Sequence, residues 1–190
     1  MKLGLFGGSF DPIHLGHLLV AQAAREELQL DKIFFIPTAQ SPFKPEANPA
    51  PAALRLQMLR LALAGQTRCE VDDQEIQRGG ISFTIDTVRD YFQKFPGAKL
   101  FYLIGADQVT LLPKWREANE LARLLEFVVI PRPGEIPAQI PEPFRGELLR
   151  GFPVGISSSQ IRARVTARLP IDFLVPEIVA EAIKNNRLYL

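Results

Sequence analysis

The chain has 190 residues, of which 47% are hydrophobic and 23% are charged, and its formal net charge at pH 7 is +1. These values are ordinary for a globular protein of one domain, and the balanced charge disfavours a nucleic-acid-binding surface without excluding a local anion site. A single cysteine, Cys69, precludes an internal disulfide and fits a reducing cytoplasm, and no apolar run approaches the roughly 20 residues that span a membrane.

Strands and helices alternate along the chain. An apolar run at residues 2–6 predicts the first strand, a helix is expected over about 15–28, and a second buried strand follows at 32–37. Further helices are predicted at 54–63, 85–95, 118–125 and 175–183, with another helix starting near 157–162; further strands are predicted at 69–76, 99–104 and 127–130. The segments 37–51 and 131–143 each hold five prolines and are expected to be loops.

Apolar strands between amphipathic helices predict an α/β fold: a Rossmann-like, doubly wound parallel sheet with helices on both faces. In such sheets ligands bind beyond the carboxyl ends of the strands. The loops after residues 6, 36, 104 and 130 are therefore the places where a site is expected.

Both histidines of the chain, His14 and His17, lie in the segment GGSFDPIHLGH directly after the first predicted strand. Gly7 and Gly8 let the backbone approach a ligand, and the helix start offers unpaired N–H groups and a positive dipole end. The pattern favours a polyphosphate site, although a structural role in capping the helix stays open. A metal site is disfavoured because there is no third histidine, and the chain lacks the P-loop and GxGxxG signatures.

Several other residues have a chemical and a structural interpretation. Lys44, among prolines, is either a mobile cation for phosphate or a solvated lysine. Ser157 or Ser158 caps a helix whose free N–H groups and Arg162 suit an anion, or the helix is an ordinary capped one.

Four residues between the second and fifth predicted strands also have structural interpretations. Thr84 is interpreted as a helix N-cap, with Asp86 as a first-turn acid. Trp115, the only tryptophan, either stacks on an aromatic ligand or packs. Asp107 either caps the turn that follows it or accepts hydrogen bonds from a ribose.

The segment GSFDPIHLGH resembles the signature of the nucleotidyltransferase superfamily that carries an [HT]xGH motif. The further segments SPFK, SFTIDT, GAD, LPKW, PRPG and ISSSQIR follow in order and span nearly the whole chain. Together they resemble the bacterial nicotinate-nucleotide adenylyltransferase family. SFTIDT and LPKW are the most selective of these segments.

The resemblance implies adenylyl transfer from ATP to nicotinate mononucleotide, which gives deamido-NAD and pyrophosphate in NAD biosynthesis. It also implies one nucleotidyltransferase domain over residues 1–190, with a helical portion from about residue 156. It implies Mg²⁺ bound mainly through the ATP phosphates, a cytoplasmic enzyme, and neither a nucleic-acid nor a membrane partner; whether the chain forms a homo-oligomer is not readable. The alternatives are another transferase of this superfamily, acting in nicotinamide-mononucleotide, phosphopantetheine or cytidylyl transfer, and a nucleotide-binding sensor without turnover.

The resemblance also implies roles for individual residues. The catalytic residues would be His14, His17, Lys44 and Arg162. The mononucleotide would contact Ser9, Lys44, Trp115 and the backbone N–H groups around Thr84 and Ile85. The ATP-binding residues would be Gly7, Gly8, Ser9, Phe10, Gly16, Gly105, Asp107, Arg132, Ile156, Ser157 and Ser158.

Overall fold

The computed structural model describes residues 1–43, 48–134, 139–152 and 154–190. Its centre is a six-stranded sheet in the order β3-β2-β1-β4-β5-β6, and every pairing between these strands is parallel. The predicted parallel α/β fold is therefore confirmed. The strands are β1 (Lys2–Gly8), β2 (Lys32–Pro37), β3 (Cys69–Val71), β4 (Lys99–Gly105), β5 (Glu126–Ile130) and β6 (Gly146–Leu148).

Helices cover both faces of the sheet. The α-helices are α1 (Leu15–Leu28), α2 (Ala52–Ala62), α3 (Gln74–Arg78), α4 (Thr84–Lys94), α5 (Ala118–Leu124), α6 (Ser158–Thr166) and α7 (Glu177–Asn185), and a 3-10 helix spans Ala106–Lys114. None of the helices in the described ranges has the length and hydropathy needed to cross a membrane.

Two hydrophobic cores lie on opposite faces because side chains alternate along each strand. Phe6 of β1 belongs to the core beneath α1, α2, α6 and α7. Leu3 and Leu5 of the same strand belong to the core beneath α4, α5 and the 3-10 helix. A ligand at the carboxyl end of β1 can therefore be reached from helices on both faces.

Three short elements differ from the sequence-based expectation. The strand predicted at 69–76 is wrong in its second half, since β3 ends at Val71 and α3 follows. The 3-10 helix after β4 and the edge strand β6 were not predicted. All three are too short, or in the 3-10 case of the wrong period, to show a helical or alternating hydrophobic pattern.

The strand order reverses between β1 and β4, which are neighbours in the sheet and carry their connections to opposite sides. In doubly wound sheets this switch point opens a crevice at the carboxyl ends of the strands. The loop after β1 leads into α1, and the loop after β4 leads into the 3-10 helix. The segments that the sequence marks as candidates for phosphate contact thus begin at the crevice.

Candidate active site

His14 and His17 form a stacked pair at the first turn of α1. Their ring centroids are 3.6 Å apart with an interplanar angle of 23°. His14 is the N-cap of the helix: its Nδ1 accepts a hydrogen bond from the His17 backbone N–H at 3.3 Å, and His17 Nδ1 accepts one from the His14 N–H at 3.2 Å. Capping and a ligand-facing role are therefore compatible, because the caps use only one nitrogen of each ring.

These hydrogen bonds fix the tautomer of both rings. Since each Nδ1 accepts, each neutral ring carries its proton on Nε2. Burial lowers the pKa of His14 to about 4, and burial together with the neighbouring His14 lowers the pKa of His17 well below its ordinary value. Near neutral pH the pair therefore offers two uncharged Nε2–H donors, a chemistry that suits phosphate oxygens.

The loop after β1 is packed tightly beneath the histidines. The Phe10 side chain is 1% exposed, its backbone has a φ of 45°, and its ring meets that of His17 edge-on at 5.0 Å. A Cβ at Gly8 would lie 3.3 Å from the Phe10 ring, and one at Gly16 would lie 3.0 Å from His14 Nδ1. Phe10 is thus a packing residue that supports the loop beneath the histidines.

The N-terminal end of α6 is attached to this same loop. Ser157 caps the helix, as predicted, through a reciprocal pair of hydrogen bonds with Gln160. Ser158 Oγ donates to the Pro12 carbonyl at 2.9 Å, and Arg162 Nη1 donates to the Asp11 carbonyl at 2.8 Å. The structure therefore brings the predicted residues of α6 together with the histidine segment.

Ile156 completes the junction between these two segments. It lies beside α1, with its Cβ 3.6 Å from the position that a Cβ at Gly16 would take. A Cβ at Gly16 would therefore crowd His14 and be in ordinary contact with Ile156.

A second group of predicted residues lies on the opposite face of the sheet. Phe83, not Thr84, is the N-cap of α4, so the predicted cap is wrong; Thr84 Oγ1 instead donates to the Tyr102 hydroxyl at 3.4 Å. No side chain in the described ranges caps this helix, in contrast to α1 and α6. Asp86 does lie in the first turn, and Ile85 is fully buried.

Trp115 lies beyond the 3-10 helix and is half-buried. Its ring meets those of Tyr102 and Phe127 edge-on at 5.9 and 6.0 Å, and Phe43 lies 6.2 Å away. Its indole Nε1 is buried and has no hydrogen-bond partner among the described residues. Trp115 thus contacts three aromatic rings.

Gly7 joins the two groups at the end of β1. A Cβ at this position would lie 2.2 Å from the Tyr102 hydroxyl oxygen, so only glycine fits against β4 here. Burial raises the pKa of Tyr102, which keeps its hydroxyl protonated. Because Gly7 has no side chain, the start of the histidine loop can lie directly beside Tyr102. The histidine loop and the Thr84–Tyr102 pair therefore border the same crevice.

Asp107 and Arg132, both implied to contact ATP, form an ion pair. Arg132 Nη2 lies 3.0 Å from Asp107 Oδ1, and both side chains are about half exposed. A Cβ at Gly105 would lie 2.5 Å from the same Asp107 oxygen. The pair therefore links the loops after β4 and β5 along the rim of the crevice.

Arg55 and Glu75 are buried ionic residues near the site that the sequence did not single out. Arg55, 1% exposed, donates to the carbonyl oxygens of Ala50, Ser9 and Thr38, which ties the loops after β1 and β2 together. Its position four residues before Leu59, on the buried face of α2, was the available signal. Glu75 accepts a hydrogen bond from Thr87 Oγ1 at 2.7 Å, and burial raises its pKa.

The predicted role of Lys44 falls outside the described residues. Within the described ranges, there is no group of three or more His, Cys, Asp or Glu side chains that could hold a metal ion. The groups that the crevice does offer are N–H donors and a guanidinium, which are ligands for anions.

Comparison with known proteins assigns the class. A family model described as cytidylyltransferase-like matches residues 5–164. The chain therefore belongs to the cytidylyltransferase-like family.

Relatives that are about 40% identical to this chain show which group within the cytidylyltransferase-like family it belongs to, and they confirm the resemblance found in the sequence. The chain is 41% identical to the probable nicotinate-nucleotide adenylyltransferase of Opitutus terrae over 191 residues, which cover 100% of this chain and 98% of the relative. The corresponding protein of Gemmatimonas aurantiaca is 43% identical over 196 residues, covering 100% and 92%. Within its family, the chain thus groups with the nicotinate-nucleotide adenylyltransferases.

Solved structures confirm the fold. Nicotinic acid mononucleotide adenylyltransferase of Plasmodium falciparum, complexed with NaAD, matches with a TM-score of 0.80 at 20% identity, over 99% of this chain and 97% of that one. A putative nicotinate-nucleotide adenylyltransferase from Vibrio parahaemolyticus matches with a TM-score of 0.73 at 18% identity, over 99% and 94%.

Proposed function

We infer that this chain transfers the adenylyl group of ATP to nicotinate mononucleotide, forming deamido-NAD and pyrophosphate. The observation that carries the inference is the stacked histidine pair at the start of α1, in which each ring keeps an Nε2–H donor. The Arg162 guanidinium binds the same loop through the Asp11 carbonyl oxygen. An anion-binding site of this kind, at the switch point of a parallel sheet, suits a nucleoside triphosphate. The full-length relatives named nicotinate-nucleotide adenylyltransferases support the same activity.

We propose the following mechanism. An oxygen of the mononucleotide 5′-phosphate attacks the α-phosphorus of ATP in line, the bond to the bridging oxygen breaks, and pyrophosphate leaves with the electron pair. The attacking phosphate is already anionic near neutral pH, so the reaction needs positioning and charge stabilisation rather than a strong base. The histidines fit this requirement because their Nδ1 atoms are occupied and their pKa values are low.

Each catalytic residue has a proposed role in that step. His17 donates to the α-phosphate region, and His14 donates to the neighbouring phosphate oxygens. Arg162 and Lys44 contact the leaving pyrophosphate. Mg²⁺ enters with ATP as part of the substrate and neutralises phosphate charge; the donors that the crevice offers suit the phosphate oxygens that remain free.

We propose that the acid form of the mononucleotide is preferred. Its ring carboxylate would accept hydrogen bonds from the N–H groups of Thr84 and Ile85, at a helix start that no described side chain caps. The pyridine ring would lie against Trp115, which its aromatic neighbours already hold in place. Ser9 and the Asp107–Arg132 pair would contact the ribose and adenine parts of the ligands. We place the reaction in the cytoplasm, in a single domain over 1–190, and expect no nucleic-acid partner.

A pyrophosphate-release assay tests the proposal. ATP is supplied with nicotinate mononucleotide, nicotinamide mononucleotide or phosphopantetheine in turn, and CTP replaces ATP in a parallel series. We expect turnover with ATP and a higher kcat/KM for the acid than for the amide mononucleotide. A preference for the amide form would overturn the acceptor assignment, and no release with any pair would leave a nucleotide-binding sensor.

A further inference from the structure

Tyr189, far from the histidine loop in sequence, contacts that loop in the structure. Its hydroxyl donates to Asp11 Oδ1 at 2.7 Å, and the same oxygen accepts the Ala50 backbone N–H at 3.1 Å. Asp11 is 4% exposed, so these bonds replace the water that its carboxylate has lost. Burial and the hydrogen bond to Asp11 raise the pKa of the Tyr189 hydroxyl, which therefore stays protonated and donates.

Asp11 also binds the side chain of Arg162. Arg162 Nη1 donates to the Asp11 carbonyl oxygen at 2.8 Å, whereas the Asp11 carboxylate oxygen Oδ2 lies 3.7 Å from that nitrogen. The guanidinium is thus held by the backbone of Asp11 and is only loosely paired with its carboxylate. Its remaining N–H groups donate to no other residue in the part of the chain that the structure describes, so they are left for other acceptors.

The backbone of Tyr189 is tied to the helix that carries Arg162. Thr166 Oγ1, at the end of α6, donates to the Tyr189 carbonyl at 2.8 Å. Tyr189 thus contacts the end of α6 through its backbone carbonyl and the loop after β1 through its hydroxyl, and Arg162 joins the same loop from its own position on α6.

A buried carboxylate that loses a donor seeks another cation or donor. Arg162 is the adjacent cation that can move, because Arg55 is held by three carbonyl oxygens. Without the Tyr189 hydroxyl, Asp11 would draw the Arg162 guanidinium into a direct ion pair and away from the crevice.

We propose that Tyr189 is a positioning residue that keeps Arg162 available for the phosphates of ATP by satisfying the Asp11 carboxylate. The proposal rests on the role of Arg162 given under the proposed function. It concerns the triphosphate end of the site only, because Tyr189 contacts neither α4 nor Trp115 among the interactions described.

Steady-state kinetics of Tyr189→Phe, which keeps the ring and removes one oxygen, test the proposal. We expect kcat/KM for ATP to fall about tenfold, the effect of one hydrogen bond to a charged group, while KM for nicotinate mononucleotide stays unchanged. The matched control is Tyr91→Phe, because the Tyr91 hydroxyl also donates to a carboxylate, that of the partly buried Asp72. The control should leave the ATP parameters unchanged, and thermal unfolding verifies that both variants are folded.

A double-mutant cycle with Arg162→Ala shows whether Tyr189 acts through the guanidinium. We expect Tyr189→Phe to add no further loss in kcat/KM for ATP once Arg162 is absent. An unchanged kcat/KM in the single Tyr189→Phe variant, or a full tenfold loss in both backgrounds, would overturn the proposal while the role of Arg162 stood. If Arg162→Ala itself left the ATP parameters unchanged, the proposed phosphate contact would fail as well.

Discussion

The two histidines show how local backbone contacts decide what a titratable side chain can do. The Nδ1 atom of each ring accepts a hydrogen bond from the backbone N–H of the other histidine, and burial keeps each ring neutral. Two residues that titrate near neutral pH in other surroundings become fixed donors here. Their contribution to catalysis is therefore the stabilisation of phosphate charge.

We expect His17→Ala to lower kcat by about 10²–10³-fold, the typical cost of one lost donor to a developing anion. His17→Asn is the matched variant, since its amide oxygen can replace Nδ1 as acceptor for the His14 N–H but offers nothing at the Nε2 position. Both variants should lose activity, and His17→Asn should keep more of the thermal stability. Turnover near the wild-type value in either variant would contradict the mechanism.

The stability of the protein should depend on pH through His14. Its pKa is lowered from the usual 6.5 to about 4, so between these values the unfolded chain binds a proton that the folded chain does not. The free energy of unfolding should therefore fall as pH decreases through this window, by up to about 1.4 kcal/mol per pH unit from this residue. Denaturant unfolding of the wild type and of His14→Asn, which keeps a capping oxygen, should give a flatter profile for the variant; parallel profiles would refute the assignment.

Single residues were predictable from the sequence where their neighbours are local. The position of the histidines at a helix start and the Ser157 cap follow from sequence patterns within a few positions. Arg55 and Tyr189 were missed because their partners lie 46 and 178 positions away, at Ser9 and Asp11. Such contacts exist only after the sheet has formed.

At the scale of elements, the contact between β1 and β4 leaves no space for a side chain at Gly7. We expect Gly7→Ala to destabilise the fold by about 1–3 kcal/mol, since its Cβ would overlap the Tyr102 hydroxyl. Combining it with Tyr102→Phe should restore part of that loss, because the nearest remaining ring carbon is 3.1 Å away. Denaturant unfolding of both single variants and the double variant measures the coupling, and additive losses would show that the clash is absorbed elsewhere.

Arg55 offers a second test of how elements are joined. We expect Arg55→Met to lower the free energy of unfolding by about 3 kcal/mol or more, because three carbonyl oxygens lose their donor and each unsatisfied buried acceptor costs about 1–3 kcal/mol. Arg60→Ala is the control on the same helix: its side chain is 61% exposed and its guanidinium pairs with Asp73, so the change should stay below about 1 kcal/mol. Equal losses measured in urea for the two variants would contradict the structural role of Arg55.

Most long α-helices and strands were predicted from the sequence, whereas α3 and β6 were not, for a physical reason. Helix α1 and strands β1, β2, β4 and β5 carry enough apolar residues for their period to be read. Helix α3 has five residues and β6 has three, so neither completes two periods. Their conformation is set by packing on neighbours that the sequence pattern does not identify.

For the molecule as a whole, the candidate site is divided between the two faces of the sheet. The histidines and Arg162 belong to α1 and α6 on one face, and Thr84 and Trp115 belong to segments that pack on the other. A dinucleotide that spans the crevice would bind both halves of the site. Once one half of the dinucleotide is bound, its other half is held near the second half of the site, as if at a high local concentration.

Thermal unfolding with ligands tests this division. We expect deamido-NAD to raise Tm by more than the summed shifts of AMP and nicotinate mononucleotide at the same concentration. In Trp115→Ala the shift with deamido-NAD should fall toward that of AMP, while the AMP shift is retained. Equal loss of both shifts would show that Trp115 affects the whole crevice rather than one half of it.

The two edges of the sheet have a consequence for association. Both edge strands, β3 and β6, are only three residues long. A short edge exposes few unpaired backbone groups, which are what an incoming strand from another molecule would need in order to extend the sheet. The apolar middle strands, whose backbone would otherwise template fibres, are thereby shielded from edge-to-edge growth.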